Sequence, residues 1–258
     1  MPQYNTSLLV SVIISLVVFP ILLSLSHAQS NVTSNDISIG TSAGGGIASD
    51  IYQNKTMTFG DKVKNIILLL PNEGHESPAL PKEQRIINQP YVPANIIVSP
   101  NTQIAWLNGD VGHTHTITLL DQNSKQVYSS GKFDFNKVTN PLVLNDTGKF
   151  TYSEANVNKD DPKFVMEGTV TVQENLSNPT QLPDTVGFLM VPANDLDKHV
   201  SEFTSKGIDV LDKYTFKDLR GGQKGTGTDQ TLLLSASKNG KEQLVSALEN
   251  IAPTLPYS

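Results

Sequence analysis

The stretch from Ile104 to Thr118, I-A-W-L-N-G-D-V-G-H-T-H-T-I-T, constrains the local fold more than any other part of the chain. Ile104 and Trp106 alternate with Ala105 and Leu107, and a two-residue period rich in β-formers describes an extended strand. Asn108-Gly109-Asp110 follows as turn chemistry, because Asn and Gly tolerate the left-handed backbone of a tight reversal. Beyond the turn, His113, His115 and Ile117 fall on one face of a second extended segment, and Thr114, Thr116 and Thr118 on the other. Side chains two apart on a strand begin about 6.5–7 Å apart, so two imidazoles there can converge on one ion.

The flanking sequence extends the β pattern. Lys55 to Phe59, Val63 to Leu70, Ala94 to Val98, Thr102 to Leu107 and His115 to Leu120 read as strands, with weaker ones near Val127–Tyr128, Phe133–Phe135 and Leu142–Leu144. Gly148 to Ser153 and Gly168 to Val172 frame a loop from Glu154 to Glu167. Short strands separated by turn signals describe an antiparallel sandwich or barrel over 51–174. After a polar, Pro-bearing linker at 175–184 the period changes. Leu196, Val200 and Phe203 form a helical stripe capped at Asn194 and ended by Gly207, and Leu244, Val245, Leu248 and Ile251 form a second behind an Asn239/Glu242 capping box. The order strand-helix-strand-strand-helix describes a small α+β domain of ferredoxin-like type over 185–258.

Residues 1–28 read as a signal peptide, with an apolar run from Leu8 to Leu25 and small residues at Ser26 and Ala28 for cleavage. The segment before it lacks Lys and Arg, and the run is long enough for a retained membrane anchor. Residues 29–50 form a Gly-rich leader. Glycosylation sequons at Asn31, Asn54, Asn145 and Asn175 fit an exported glycoprotein, although such triplets are frequent by chance. The net charge of −6 without a basic cluster argues against nucleic acid as a partner, and the absence of cysteine removes disulfides, zinc–thiolate sites and thiol nucleophiles.

The residues around the histidines resemble the cupredoxin family. Its pattern is a W-x-N-x-D-type strand and turn leading to a histidine, then G-x-Y-x-Y-x-C opening a loop with a second histidine and a methionine, closed by G-x-V-x-V. Here Trp106-Leu107-Asn108-Gly109-Asp110, His115-Thr116-Ile117, G-K-F-T-Y-S from Gly148 and M-E-G-T-V-T-V from Met166 recur in that order, covering about residues 90–174. The resemblance implies a Greek-key β-sandwich in which His115 matches the first ligand histidine and Met166 the axial methionine. Ser153 is read at the family's cysteine, and the loop's second histidine has no counterpart.

A blue copper site depends on a copper–thiolate bond, which this chain cannot supply. The implied alternative is a type 2 copper(II) (Cu2+) site of nitrogen and oxygen donors at His113 and His115. His75 is a candidate third ligand, with Asp110, Glu154 or Met166 nearby. The blander readings stand beside these: exposed turn-end histidines, a solvated His75 between Glu73 and Glu76, and Met166 as core filler. The His-x-His pair also resembles the copper site of a cupredoxin-like monooxygenase subunit, which His27 would complete only where cleavage after Ser26 makes it the amino terminus. The expectation is an exported copper-binding protein to which no catalytic residues are assigned. The alternative is a metal-free structural or adhesion protein whose C-terminal domain docks a protein partner.

Overall fold

Regular alternation of buried and exposed residues marks a strand with one face on a core, and continuous burial marks a strand covered on both faces. Both kinds are present, and they separate the two layers of the fold. The computed structural model describes residues 46–54, 56–71, 90–110, 113–154, 166–177, 182–216 and 229–251. The strands are β1 (Thr56–Thr58), β2 (Asn65–Leu70), β3 (Asn95–Val98), β4 (Gln103–Asn108), β5 (Ile117–Leu120), β6 (Gln126–Ser129), β7 (Leu142–Val143), β8 (Gly148–Glu154), β9 (Glu167–Val172), β10 (Thr185–Pro192), β11 (Ile208–Phe216) and β12 (Gln230–Ser237). The helices are α1 (Ile47–Asn54), α2 (Leu196–Ser205) and α3 (Lys241–Ile251).

One six-stranded sheet has the order β1-β3-β9-β8-β5-β6, and its strands β3, β5, β8 and β9 alternate between buried and partly exposed residues. The other has the order β11-β12-β10-β2-β4-β7, and β10 and β12 are buried along their whole length. The sheets face each other through aromatic side chains. The Trp106 ring from β4 lies 5.2 Å from that of Tyr152 on β8 and 5.8 Å from that of Tyr128 on β6. Both sheets are mixed: β2 runs parallel to β4 and to β10, and β3 parallel to β1 and to β9. The antiparallel expectation therefore fails at these pairs.

The C-terminal region does not make a sheet of its own. β10 pairs with β2 at Thr185↔Asn65, Val186↔Ile66 and Gly187↔Ile67, so β10, β11 and β12 extend the second sheet. Residues on both sides of the expected linker lie within one unit, Asn35–Ser258. The separate ferredoxin-like domain is therefore not confirmed. Val186–Val191 is apolar on both faces of its strand, and β10 is buried along its whole length, as in a strand covered on both sides. α3 covers β10 where Gly187 leaves room: a Cβ there would sit 3.1 Å from Leu248 and 3.2 Å from Leu244. Leu244 and Leu248 are fully buried, each worth on the order of 1.5–3 kcal/mol.

Of the leader expected over 29–50, residues 29–45 lie outside those described. α1 begins at Ile47 and buries Ile47, Ala48 and Ile51, and the Ala48 N–H donates to Asp212 on β11 at 2.8 Å. The expected caps at Asn194 and at Asn239/Glu242 are replaced by a 3₁₀ turn over Ala193–Asp195 and by Gly240 at positive φ. No helix among the described residues is long and apolar enough to cross a membrane, and residues 8–25 lie outside them.

Candidate metal centre

Four elements meet at one end of the sandwich. β4 ends there at Asn108, β5 starts beyond His115, β8 ends at Glu154, and Met166 precedes β9. The turn after β4 is built from main-chain demands. The Gly109 N–H donates to the Leu70 carbonyl at 2.8 Å, and a Cβ at Gly109 would lie 2.8 Å from Leu69 and 2.9 Å from that same carbonyl. Only glycine fits so close an approach. The buried Asn108 side chain organises the residues beyond the turn: Oδ1 accepts from the Asp110 N–H at 2.8 Å, and Nδ2 donates to the His113 carbonyl at 2.9 Å and the Phe133 carbonyl at 3.3 Å. An Asx-type turn of this kind aims Asp110 inward.

Asp110 is fully buried and its carboxylate joins the two histidines. Oδ2 lies 2.9 Å from His115 Nε2, and Oδ1 lies 3.3 Å from His113 Nδ1. His113 keeps 47% of its side-chain surface exposed, whereas His115 keeps 5%. The backbone of His115 pairs in both directions with that of Phe133, at 3.1 and 3.0 Å. On the far side of the ring, His115 Nδ1 lies 3.0 Å from Glu154 Oε2. The Thr116 N–H donates to both Glu154 oxygens, at 3.0 and 3.1 Å. His115 is thus held between two buried carboxylates. Burial alone pushes its imidazole down, but hydrogen bonds to Asp110 and Glu154 outweigh that and raise its pKa from 6.5 to about 9. At neutral pH the triad holds an imidazolium, donating from both ring nitrogens.

Ser153 does not occupy the cysteine position. Counted along G-x-Y-x-Y-x-C from Gly148, the seventh residue is Glu154, and strand alternation buries Phe150, Tyr152 and Glu154 while leaving Ser153 half-exposed on the other face. Glu154 is the residue that touches His115. Met166 is buried and opposite Glu154, whose N–H donates to the Met166 carbonyl at 3.4 Å; cross-strand partners share a face. Gly168 completes this corner, since a Cβ there would fall on the Tyr152 ring and the Ala94 carbonyl. The Tyr152 hydroxyl donates to that carbonyl at 2.8 Å. His75 lies outside the described residues.

The donor chemistry excludes one metal site and suits another. With no cysteine in the chain and a carboxylate at position 154, a blue copper centre does not fit. Two imidazoles beside two carboxylates are the nitrogen-and-oxygen set that copper(II) takes in tetragonal geometry. As they stand, however, no group of three or more His, Asp or Glu among the described residues is arranged to hold a metal ion. Both ring nitrogens of His115 are directed at carboxylates.

No protein-family model and no curated protein matches the sequence. Solved structures to which the chain is similar include cupredoxins. A purple cupredoxin from Nitrosopumilus maritimus is 21% identical over 42% of this chain and 99% of its own, with a TM-score of 0.31. Rusticyanin from Thiobacillus ferrooxidans is 14% identical over 46% of this chain and 82% of its own, with a TM-score of 0.32. Reduced auracyanin from Roseiflexus castenholzii is 9% identical over 43% and 97%, with a TM-score of 0.30.

Proposed function

We propose that this chain is an exported copper-binding protein that takes copper(II) at His113 and His115, with oxygen donors from Asp110 and Glu154. One observation carries the reading: the two imidazoles engage opposite oxygens of a single buried carboxylate, Asp110. Nitrogen donors held by one carboxylate need only turn from it toward a common cation, and histidine with carboxylate favours copper(II) over copper(I). Met166, buried opposite Glu154, is a neighbour able to lend a weak thioether contact. His75 remains a candidate further donor. A bound ion of this kind suits carrying or sensing copper, and the reading includes no enzyme activity. Export, with residues 8–25 as cleaved signal or retained anchor, belongs to the same proposal.

Because ligands must be deprotonated, binding at His115 displaces its proton, and copper affinity rises with pH up to about 9. Titration with copper(II) followed by paramagnetic resonance tests the reading. Stoichiometric uptake with a nitrogen-coupled type 2 signal that disappears in the His113→Ala/His115→Ala double variant is the expected result. Absence of stoichiometric uptake in the wild-type protein overturns it.

A second reading has its own observation. Both ring nitrogens of His115 are bonded to carboxylates, so the charged triad can close this end of the sandwich without metal, leaving a scaffold that binds a protein partner. Protein purified from its own host distinguishes the two: copper in it favours the first, and metal-free protein with intact partner binding favours the second.

A further inference from the structure

The C-terminal helix reaches the histidine cluster through a short run of hydrogen bonds. Glu249 on α3 accepts from the Val138 N–H at 3.0 Å through Oε1, and Oε2 lies 3.5 Å from Lys137 Nζ. The same turn clasps the end of β4: the Asn108 N–H donates to the Lys137 carbonyl at 3.0 Å, and the Asn136 N–H donates to the Asn108 carbonyl at 2.9 Å. One residue further along, the Trp106 N–H donates to Thr139 Oγ1 at 3.1 Å. Asn108 in turn holds the Asp110 N–H and the His113 carbonyl, while Phe133, where the turn begins, pairs with the backbone of His115. Asp110, His113 and His115 are therefore each anchored to this segment or to Asn108.

We propose that Glu249 is a positioning residue for the histidine–carboxylate cluster, acting through the 133–139 turn and Asn108, and that the C-terminal region serves as the buttress of that centre. The role assigned to the cluster rests on the copper reading above, but the coupling from Glu249 to the two histidines does not. The two contacts of Glu249 differ in weight. Lys137 is 60% exposed, so that ion pair is screened by solvent and weak. The bond from the Val138 N–H is charge-assisted and partly buried, and it fixes the turn. α3 can hold its carboxylate in place because it is pinned at its other end, where Lys241 Nζ donates to Gln103 Oε1 at 2.8 Å, and because Leu244 and Leu248 are buried over Gly187.

The test compares Glu249→Ala, Glu249→Gln and Lys241→Ala in the full chain. Lys241→Ala removes a contact of the same helix with the start of β4, away from the cluster, and so reports helix loosening alone. The ring-nitrogen magnetic resonance signals of His113 and His115 are recorded without metal, and copper(II) affinity is measured separately. The expected result is displaced histidine signals in Glu249→Ala, restoration in Glu249→Gln, and unmoved signals in Lys241→Ala at a comparable loss of melting temperature. Copper affinity falls roughly 10-fold in Glu249→Ala, the usual scale for groups that orient ligands. Unmoved signals in Glu249→Ala, or equal displacement in Lys241→Ala, overturn the proposal. If signals move as expected while no variant and no wild-type protein binds copper, the copper reading fails and the coupling stands.

Discussion

Replacing His115 with glutamine and following stability against pH isolates the charged triad. The glutamine amide nitrogen can still donate to one of the two carboxylates, but the side chain cannot carry a titrating charge. In the wild-type protein the folded-state pKa of His115 is raised from 6.5 to about 9. A group raised in this way contributes stability that is fully present below about pH 6.5 and is lost as the pH rises through about 9. At about 1.4 kcal/mol for each pH unit, that gap corresponds to about 3 kcal/mol. Urea melts of both proteins at intervals from pH 6 to pH 10 read it directly. With a denaturant slope of about 1–3 kcal/mol per molar for a protein of moderate size, the wild-type midpoint should lose about 1–3 M relative to the variant across the window. Most of the change falls between pH 6.5 and 9, where the folded protein binds one more proton than the unfolded chain. A difference between the proteins that stays flat over this range, or widens as the pH rises, refutes the idea that two carboxylates hold His115 as an imidazolium.

Three further substitutions test other parts of the site. Asp110→Asn removes the charge that both imidazoles face from a fully buried position, and should cost about 3–5 kcal/mol in a denaturation experiment, as expected when one member of a buried charge pair is lost; an unchanged midpoint contradicts the pairing. Gly168→Ala drives a methyl group into the Tyr152 ring and the Ala94 carbonyl, and should destabilise the fold by about 1–3 kcal/mol; an unchanged denaturation midpoint contradicts that close packing. Glu154→Cys places a thiolate beside His115 at the position where the family pattern carries cysteine. The copper-loaded variant should gain an intense visible sulfur-to-copper absorption absent from the wild-type protein, and a colourless variant with bound copper means that residue 154 does not face the ion.

How far the sequence speaks for the structure depends on how local each interaction is. The strands around Trp106 and Ile117 follow from alternation within a dozen residues, and the structure forms them there, but in different sheets and without the left-handed backbone expected at Asn108 and Gly109. Asp110 and Glu154 are already named by the sequence as oxygen donors near the histidines, because the turn and the end of β8 belong to the same pattern. Glu154 could also have been recognised as the cysteine-position residue, since Phe150 and Tyr152 set which face of β8 points inward. The parallel pairing of β10 with β2 joins segments about 120 residues apart, and Val186–Val191 is apolar on both faces, so no periodicity reveals its neighbour. The same limit hides Glu249, an acidic residue on an amphipathic helix whose bond to Val138 spans 111 residues. Asn108 reads only as a turn residue, and its hold on His113 and Phe133 appears only once the 133–139 segment is folded against it.

Whether one cation is shared by His113 and His115 is tested most directly by diffraction from copper-soaked crystals on both sides of the copper absorption edge. The predicted result is a single anomalous peak within bonding distance of a ring nitrogen from each histidine and of an oxygen from Asp110 or Glu154. A peak elsewhere on the surface, or none there with His115 still bonded to both carboxylates at full copper loading, contradicts a shared ion.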